Sequence, residues 1–191
     1  MNEAEKIAVL FDHGLDVDTR TLYLVQGSDG NAGEVGPDLA ALALLGLGYL
    51  DRSEGQINIV INSVGGDEYC MFAIYDAIAA CENRVQATVY GSAMSAAALI
   101  LQAADWRVMA PSATLMAHFG SIGVHTQAGN LPRIAAENAR LAVVYRDILT
   151  ARIRAKKPKI KTETVAHKLM TDWYLGADES VEWGLADEVL T

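Results

Sequence analysis

Between Ile57 and Tyr90 the chain switches periodicity twice, and this constrains the fold more than any other feature. Ile57 to Ile61 is an apolar run rich in β-branched residues, as expected of a strand covered on both faces. It stops at Asn62-Ser63-Val64-Gly65-Gly66. Asp67 to Cys81 then carries Met71, Ile74, Tyr75 and Ile78 at helical spacing, and Val85 to Tyr90 returns to strand character. A strand, a helix and a strand in this order make a β-α-β unit, the crossover that parallel pairing requires.

The alternation continues on both sides. Thr21 to Val25 reads as a strand leaving through the turn cluster Gln26 to Asn31, with Gly33 beyond it. Pro37 suits a first helical position, and the leucines at 39, 42, 45 and 50 fit one face of a helix over Asp38–Leu50. Gly91 is expected to break the strand begun at Val85, after which Ser95 to Ala104 forms an Ala- and Leu-rich helix. Arg107–Met109 and Thr114–Ala117 read as short strands around Pro111-Ser112. A long helix covers Leu131–Arg154, with apolar positions at 134, 141, 144, 148 and 153, and Pro158 is expected to end it or bend it. Asp178–Trp183 is a short helix ended by Gly184, and Leu185–Leu190 closes as a strand. No linker, repeat or low-complexity tract interrupts the 191 residues, so residues 1–191 are expected to form a single α/β domain.

Composition narrows the partners. With 51% hydrophobic and 20% charged residues the chain is too apolar for disorder, and burial against sister subunits is expected. Fifteen basic and 24 acidic side chains leave a net charge of −9, which argues against a nucleic-acid partner. Cys70 and Cys81 share a helical stretch that separates them by ~16 Å along its axis, too far for a mutual disulfide. The acidic N-terminal stretch lacks the apolar run of a signal peptide. Val85–Ala104, though uncharged, is interrupted by Gln86, Thr88, Gly91, Ser92, Ser95 and Gln102, so no membrane span is expected. A reducing, cytoplasmic compartment is the expectation.

Candidate chemistry gathers at the two strand-to-helix turns. Gly65-Gly66 removes side chains where the backbone leaves a strand, which lets amide hydrogens approach a ligand. Ser95 falls at a helix N-terminus, where the dipole favours developing negative charge, with the Ala96 amide beside it. Ends of adjacent parallel strands face the same side of a sheet, so the two turns can be neighbours. Among the four histidines, His118 differs in following the apolar run Thr114–Ala117 and preceding Phe119-Gly120, which projects it from a strand end into a partly buried site. His13, His125 and His167 lie in polar or Gly-rich stretches. Asp172 is the candidate carboxylate, because Trp173-Tyr174-Leu175 could bury it against an imidazole; on composition Asp105 and Asp187 are close rivals. Metal-ligand spacings are absent, and no Gly-rich loop is followed by Lys-Ser or Lys-Thr, so neither a metal nor a nucleotide cofactor is expected. Lysine is missing from Ile7 to Ala155, which disfavours a Ser-Lys dyad. The basic run Arg152, Arg154, Lys156, Lys157, Lys159 and Lys161 reads as a solvated helix end.

These residues resemble the ClpP family, the proteolytic subunit of the Clp protease. Ile61-Asn62-Ser63-Val64-Gly65-Gly66 is similar to its I-N-S-P-G-G, and Ala73-Ile74-Tyr75-Asp76 to its A-I-Y-D. Gly91 to Ala97 resembles its G-x-A-x-S segment, Met116-Ala117-His118 its M-I-H, and Asp172 to Ala177 its D-x-F/Y-L-S-A; Glu179 to Asp187 continues like E-A-V-E-Y-G-L-V-D. The blocks run in order over residues 20–190.

The resemblance implies a ClpP/crotonase-type α/β fold of repeated β-α units. It implies an N-terminal axial segment at 1–19 and a protruding helical handle at about 125–165. The implied activity is a serine endopeptidase with Ser95 as nucleophile, His118 as general base and Asp172 as third member, the Gly66 and Ala96 amides forming the oxyanion hole. It also implies a heptameric ring stacked on a second ring, an internal chamber for unfolded polypeptides, and an AAA+ ATPase that feeds it. Three departures stand out: Val64 in place of proline, Ala96 where methionine commonly follows the serine, and a longer stretch between His118 and Asp172. Other readings stay open: a catalytically inactive ring subunit, a crotonase-like acyl-CoA enzyme, and a phage-type processing peptidase that works without an unfoldase.

Overall fold

The computed structural model describes residues 2–25, 33–121 and 123–191; the expected turn cluster at 26–31 lies outside them. In chain order the elements are α1 (Glu3–His13), β1 (Leu15–Asp16), β2 (Thr21–Val25), β3 (Glu34–Val35), α2 (Pro37–Leu50), β4 (Ile57–Ser63), β5 (Gly65–Gly66), α3 (Glu68–Ala79), β6 (Val85–Met94) and α4 (Ala96–Leu101). They continue with β7 (Trp106–Met109), β8 (Thr114–Ala117), α5 (Leu131–Lys156), α6 (Thr162–Lys168), β9 (Trp173–Gly176), α7 (Ala177–Trp183) and β10 (Glu188–Val189).

The main sheet runs β1-β2-β4-β6-β7-β10, with β2, β4, β6, β7 and β10 parallel. The expected β-α-β unit is β4-α3-β6, its strands paired from Ile57 opposite Val85 onward. Burial along β4 alternates: Ile57, Ile59, Ile61 and Ser63 are buried while Asn58 and Val60 are half-buried. The strand is thus covered fully on one face and partly on the other, rather than on both.

Gly91 does not end the third strand of this set. It bends it: at φ +73°, with Asn62 Oδ1 only 2.6 Å from where a Cβ would stand, β6 continues to Met94. Pairing with β4 shifts register there, and Asn62 Oδ1 accepts the Ser92 amide at 3.2 Å. The bend turns the last residues of β6 onto β8, Ser92–Met94 pairing with Thr114–Met116.

The core wraps α4, whose six residues are all buried. Three successive alanines let α3 and the sheet approach it closely, and buried polar groups fasten its C-terminal end. Gln102 donates to Ala98 O and Leu185 O at 3.1 Å each, and its Oε1 accepts from Arg107 at 2.7 Å. Arg107 forks onto Asp187 at 2.8 and 2.7 Å. Arg152 caps the exit carbonyls of Gln102 and Ala104. The basic run therefore begins inside the structure: Arg152 is half-buried, and Lys157 pairs with Glu182 at 2.8 Å beneath the Trp183 ring.

Two helices bury different faces from those expected. On α2 the core side is Ala40, Ala43, Gly46, Leu47 and Leu50, leaving Leu45 73% exposed. On α5 burial begins at Leu141 and follows Tyr145, Leu149 and Ile153. The N-terminal half of α5, Leu131 to Arg140, contains no buried residue.

Candidate active site

Two strand registers assemble the site. β8 and β9 are antiparallel with Ala117 opposite Trp173, so the next pair outward is His118 and Asp172. Residues directly opposite in such a pair have Cβ atoms roughly 5 Å apart. On the other side of β8, Met94 pairs with Met116, and the Ser95 amide donates to Met116 O at 2.7 Å. Three residues far apart in the chain thus meet at one end of β8.

Their side chains are in line. His118 Nε2 lies 2.9 Å from Ser95 Oγ, and His118 Nδ1 lies 3.2 Å from Asp172 Oδ1. This order fits the tautomer in which Nδ1–H donates to the carboxylate and Nε2 accepts the hydroxyl proton. The imidazole is 24% exposed, while the Asp172 side chain is 50% exposed. The apolar residues that follow Asp172 do not bury it: Tyr174 is itself exposed and donates its hydroxyl to Asp172 Oδ2 at 3.3 Å.

Ser95 occupies a strained turn. Its φ of 53° and ψ of −116° lie outside the ordinary regions, at a cost on the order of 1–3 kcal/mol that the surroundings must hold in place. The restraints are visible. Besides the amide bond to Met116, the Ser95 carbonyl accepts from the fully buried Tyr145 hydroxyl at 3.2 Å. Burial pushes the Tyr145 phenol well above its usual range, so it stays a neutral donor.

The glycine turn comes up against the same point. A Cβ on Gly65 would stand 2.7 Å from Ser95 Cβ and 2.9 Å from the Ala96 nitrogen. The turn is held by buried Ser63, whose hydroxyl donates to Gly33 O and accepts the Gly65 amide at 3.1 Å. Asp67 donates its amide to Val35 O at 2.7 Å. Consecutive amides of an extended chain point to opposite sides, so the Gly66 N–H faces away from β3. Gly66 lines the cleft that holds Ser95 and His118, and Ala96 joins it there with a first-turn amide that has no intrahelical acceptor. The cleft encloses about 790 Å³, continuing past Met71 and Leu141 toward α5.

The structure therefore brings together all five residues expected at the site. Sequence reasoning missed Tyr145 and Glu68, which also line the cleft. A signal for Tyr145 existed, as the polar-tipped member of the every-fourth-residue stripe 141, 145, 149, 153. Glu68 carried none beyond its place two residues after Gly66.

Repeated β-α units with a strained serine at a strand end define an α/β protein of the ClpP fold type. The chain belongs to the Clp protease family, whose model matches residues 31–191. It is 30% identical over 161 residues to the ATP-dependent Clp protease proteolytic subunit of Dehalococcoides mccartyi strain BAV1, covering 82% of this chain and 78% of that one. The subunit of the same name from Deinococcus radiodurans is 30% identical over 139 residues, 72% of this chain and 66% of the relative. Membership in this family supports a ClpP-type serine peptidase. Among the described residues no helix is long and apolar enough to cross a membrane.

Proposed function

We propose that the protein is a serine endopeptidase that cleaves unfolded polypeptides by acyl transfer. Ser95 attacks the peptide carbonyl, His118 takes the hydroxyl proton and returns it to the leaving amine, and Asp172 holds the imidazole tautomer and stabilises its charged form. The Gly66 and Ala96 amides receive the oxyanion. Water then repeats the sequence on the acyl-enzyme. The observation that carries this reading is the 2.9 Å contact between Ser95 Oγ and His118 Nε2, backed by Asp172.

We further propose that copies assemble into a heptameric ring, with residues 1–19 at its axis and residues 125–165 as the handle between two rings. The apolar side chains exposed on the single chain, Phe11, Leu45 and Tyr49 among them, support burial by sister subunits. The relatives are named as subunits of an ATP-dependent protease, which supports an AAA+ ATPase as the partner that unfolds substrate. A cytoplasmic location follows from the same reading.

The test is chemical. Native protein should be labelled by a fluorophosphonate and should cleave a fluorogenic peptide, and Ser95→Ala should abolish both. Labelling or cleavage that survives the substitution would remove Ser95 from its role. Absence of both labelling and cleavage in the native protein would favour an inactive ring subunit instead.

A further inference from the structure

We infer that Glu68 makes the cleft select a basic side chain, lysine or arginine, on the residue that supplies the scissile carbonyl. The inference rests on the peptidase reading above and names its substrate class.

The recess beside Ser95 has apolar walls, formed by Val64, Met71, Ile134 and Leu141, and three carboxylates at its edge, Asp67, Glu68 and Glu137. Two of the three are already engaged. Asp67 caps α3 by accepting the Cys70 amide at 2.9 Å. Glu137 is gripped by Arg140 at 2.8 and 2.7 Å and approached by the Tyr69 hydroxyl. Among the described residues Glu68 makes no side-chain hydrogen bond or ion pair, although it is half-buried. Burial, with Asp67 and Glu137 nearby, raises its carboxyl above the usual range, the mark of a charge that lacks a partner.

Gly120 fixes where that carboxylate points. A Cβ there would lie 2.9 Å from Glu68 Oε1, so the carboxylate rests against main chain two residues beyond His118. Glu68 also follows Gly66 by two positions on the same turn. Its oxygen-bearing end consequently faces the side chain of whichever residue has its carbonyl at the Gly66 amide. Arg133, exposed at the start of α5, and His118 are the cationic or titratable basic groups lining the cleft, against three acids.

An apolar recess with an unpaired carboxylate at its edge matches a side chain that has a long aliphatic stem and a cationic head. A charge-assisted bond to that head should favour it about ten- to a hundredfold over an aliphatic residue of similar length. An acidic side chain at the same place meets like charge and should be cleaved slowest.

Four fluorogenic peptides that differ only in the residue before the scissile bond, lysine, arginine, leucine or glutamate, would read this. Active sites are counted by fluorophosphonate. The expected kcat/KM order is lysine and arginine, then leucine, then glutamate. Glu68→Gln should cut the lysine-to-leucine ratio at least tenfold, and Glu68→Leu should invert it. A second measurement is independent of the chemistry: Ser95→Ala should bind a labelled lysine peptide more tightly than its leucine counterpart, and Ser95→Ala/Glu68→Gln should not. Leucine preferred over lysine, or a ratio and a binding preference indifferent to Glu68, would overturn the inference while full labelling left the peptidase reading standing. Absent labelling, with the lysine binding preference intact, would sink the peptidase reading and not the pocket.

Discussion

Gly65 is the tightest point of the site. Besides its approach to Ser95, a Cβ there would meet Met94 O at 2.6 Å, and its φ of +97° suits glycine alone. Gly65→Ala should therefore destabilise the fold by more than about 2 kcal/mol in denaturant titration and slow fluorophosphonate labelling of the folded fraction at least tenfold. An unchanged midpoint and labelling rate would mean that the two turns do not bear on each other. Ser95, His118, Gly66 and Ala96 were legible because each follows a periodicity break that the sequence displays. Asp172 was not separable from Asp105 and Asp187 on residues alone. The structure separates them by employment: Asp105 accepts the Val85 amide at 2.8 Å, Asp187 holds Arg107, and Asp172 alone meets an imidazole. No composition argument could have shown that, because the register of β8 against β9 decides it.

At the scale of elements, even short strands such as Thr114–Ala117 were readable where an apolar run marks them, while α1 and β9 were not. Thr21–Val25, the helix from Pro37 and the β4-α3-β6 crossover stand where expected. β9 is four residues long, too short for alternation to register, yet it carries Asp172 to the site. The α5 stripe was misplaced because heptad spacing and every-fourth-residue spacing coincide at Leu141, Ile148 and Val144 are apolar, and the core chose Tyr145 and Leu149. Leu149→Ala should accordingly cost about 2–5 kcal/mol, whereas Val144→Ala, on a half-buried position, should cost under about 1.5 kcal/mol. Equal costs in urea titrations would restore the heptad face. The buried Arg107–Asp187 pair makes a second prediction, about pH. Burial alone would raise the Asp187 carboxyl, but the Arg107 side chain and amide outweigh it and hold it below the usual range. A depressed carboxyl stabilises the fold above the unfolded carboxylate range and loses that contribution as pH falls through the folded value. Asp187→Asn, which strands a nearly buried guanidinium, should cost about 3 kcal/mol near neutrality. The difference from the unsubstituted protein should shrink below about pH 4. A gap that is constant with pH would show that the pair does not titrate with folding.

For the whole molecule, the excess of apolar composition has a definite address. Leu45 and Tyr49 point outward from α2 at 73% and 54% exposure, Phe11 is 81% exposed on α1, and Met170 and Tyr174 flank Asp172 at 73% and 57%. The last two matter for the proposed catalysis, because among the described residues β9 pairs only with β8 and the His118–Asp172 contact is half open to solvent. Water there screens the contact, and a neighbour laid over β9 would strengthen it. Assembly and activity should thus rise together. Native mass measurement should find particles that are multiples of the 20.5 kDa chain, seven copies per ring, and Leu45→Glu with Tyr49→Glu should reduce them to smaller species of unchanged circular dichroism. Across the dilution range in which the native particle dissociates, the fluorophosphonate labelling rate per chain should fall, and in the Leu45→Glu/Tyr49→Glu protein it should be low throughout. A dissociated chain that labels as fast as the assembled one would mean that Asp172 needs no cover, and a native protein that runs only as a 20.5 kDa monomer would remove the ring.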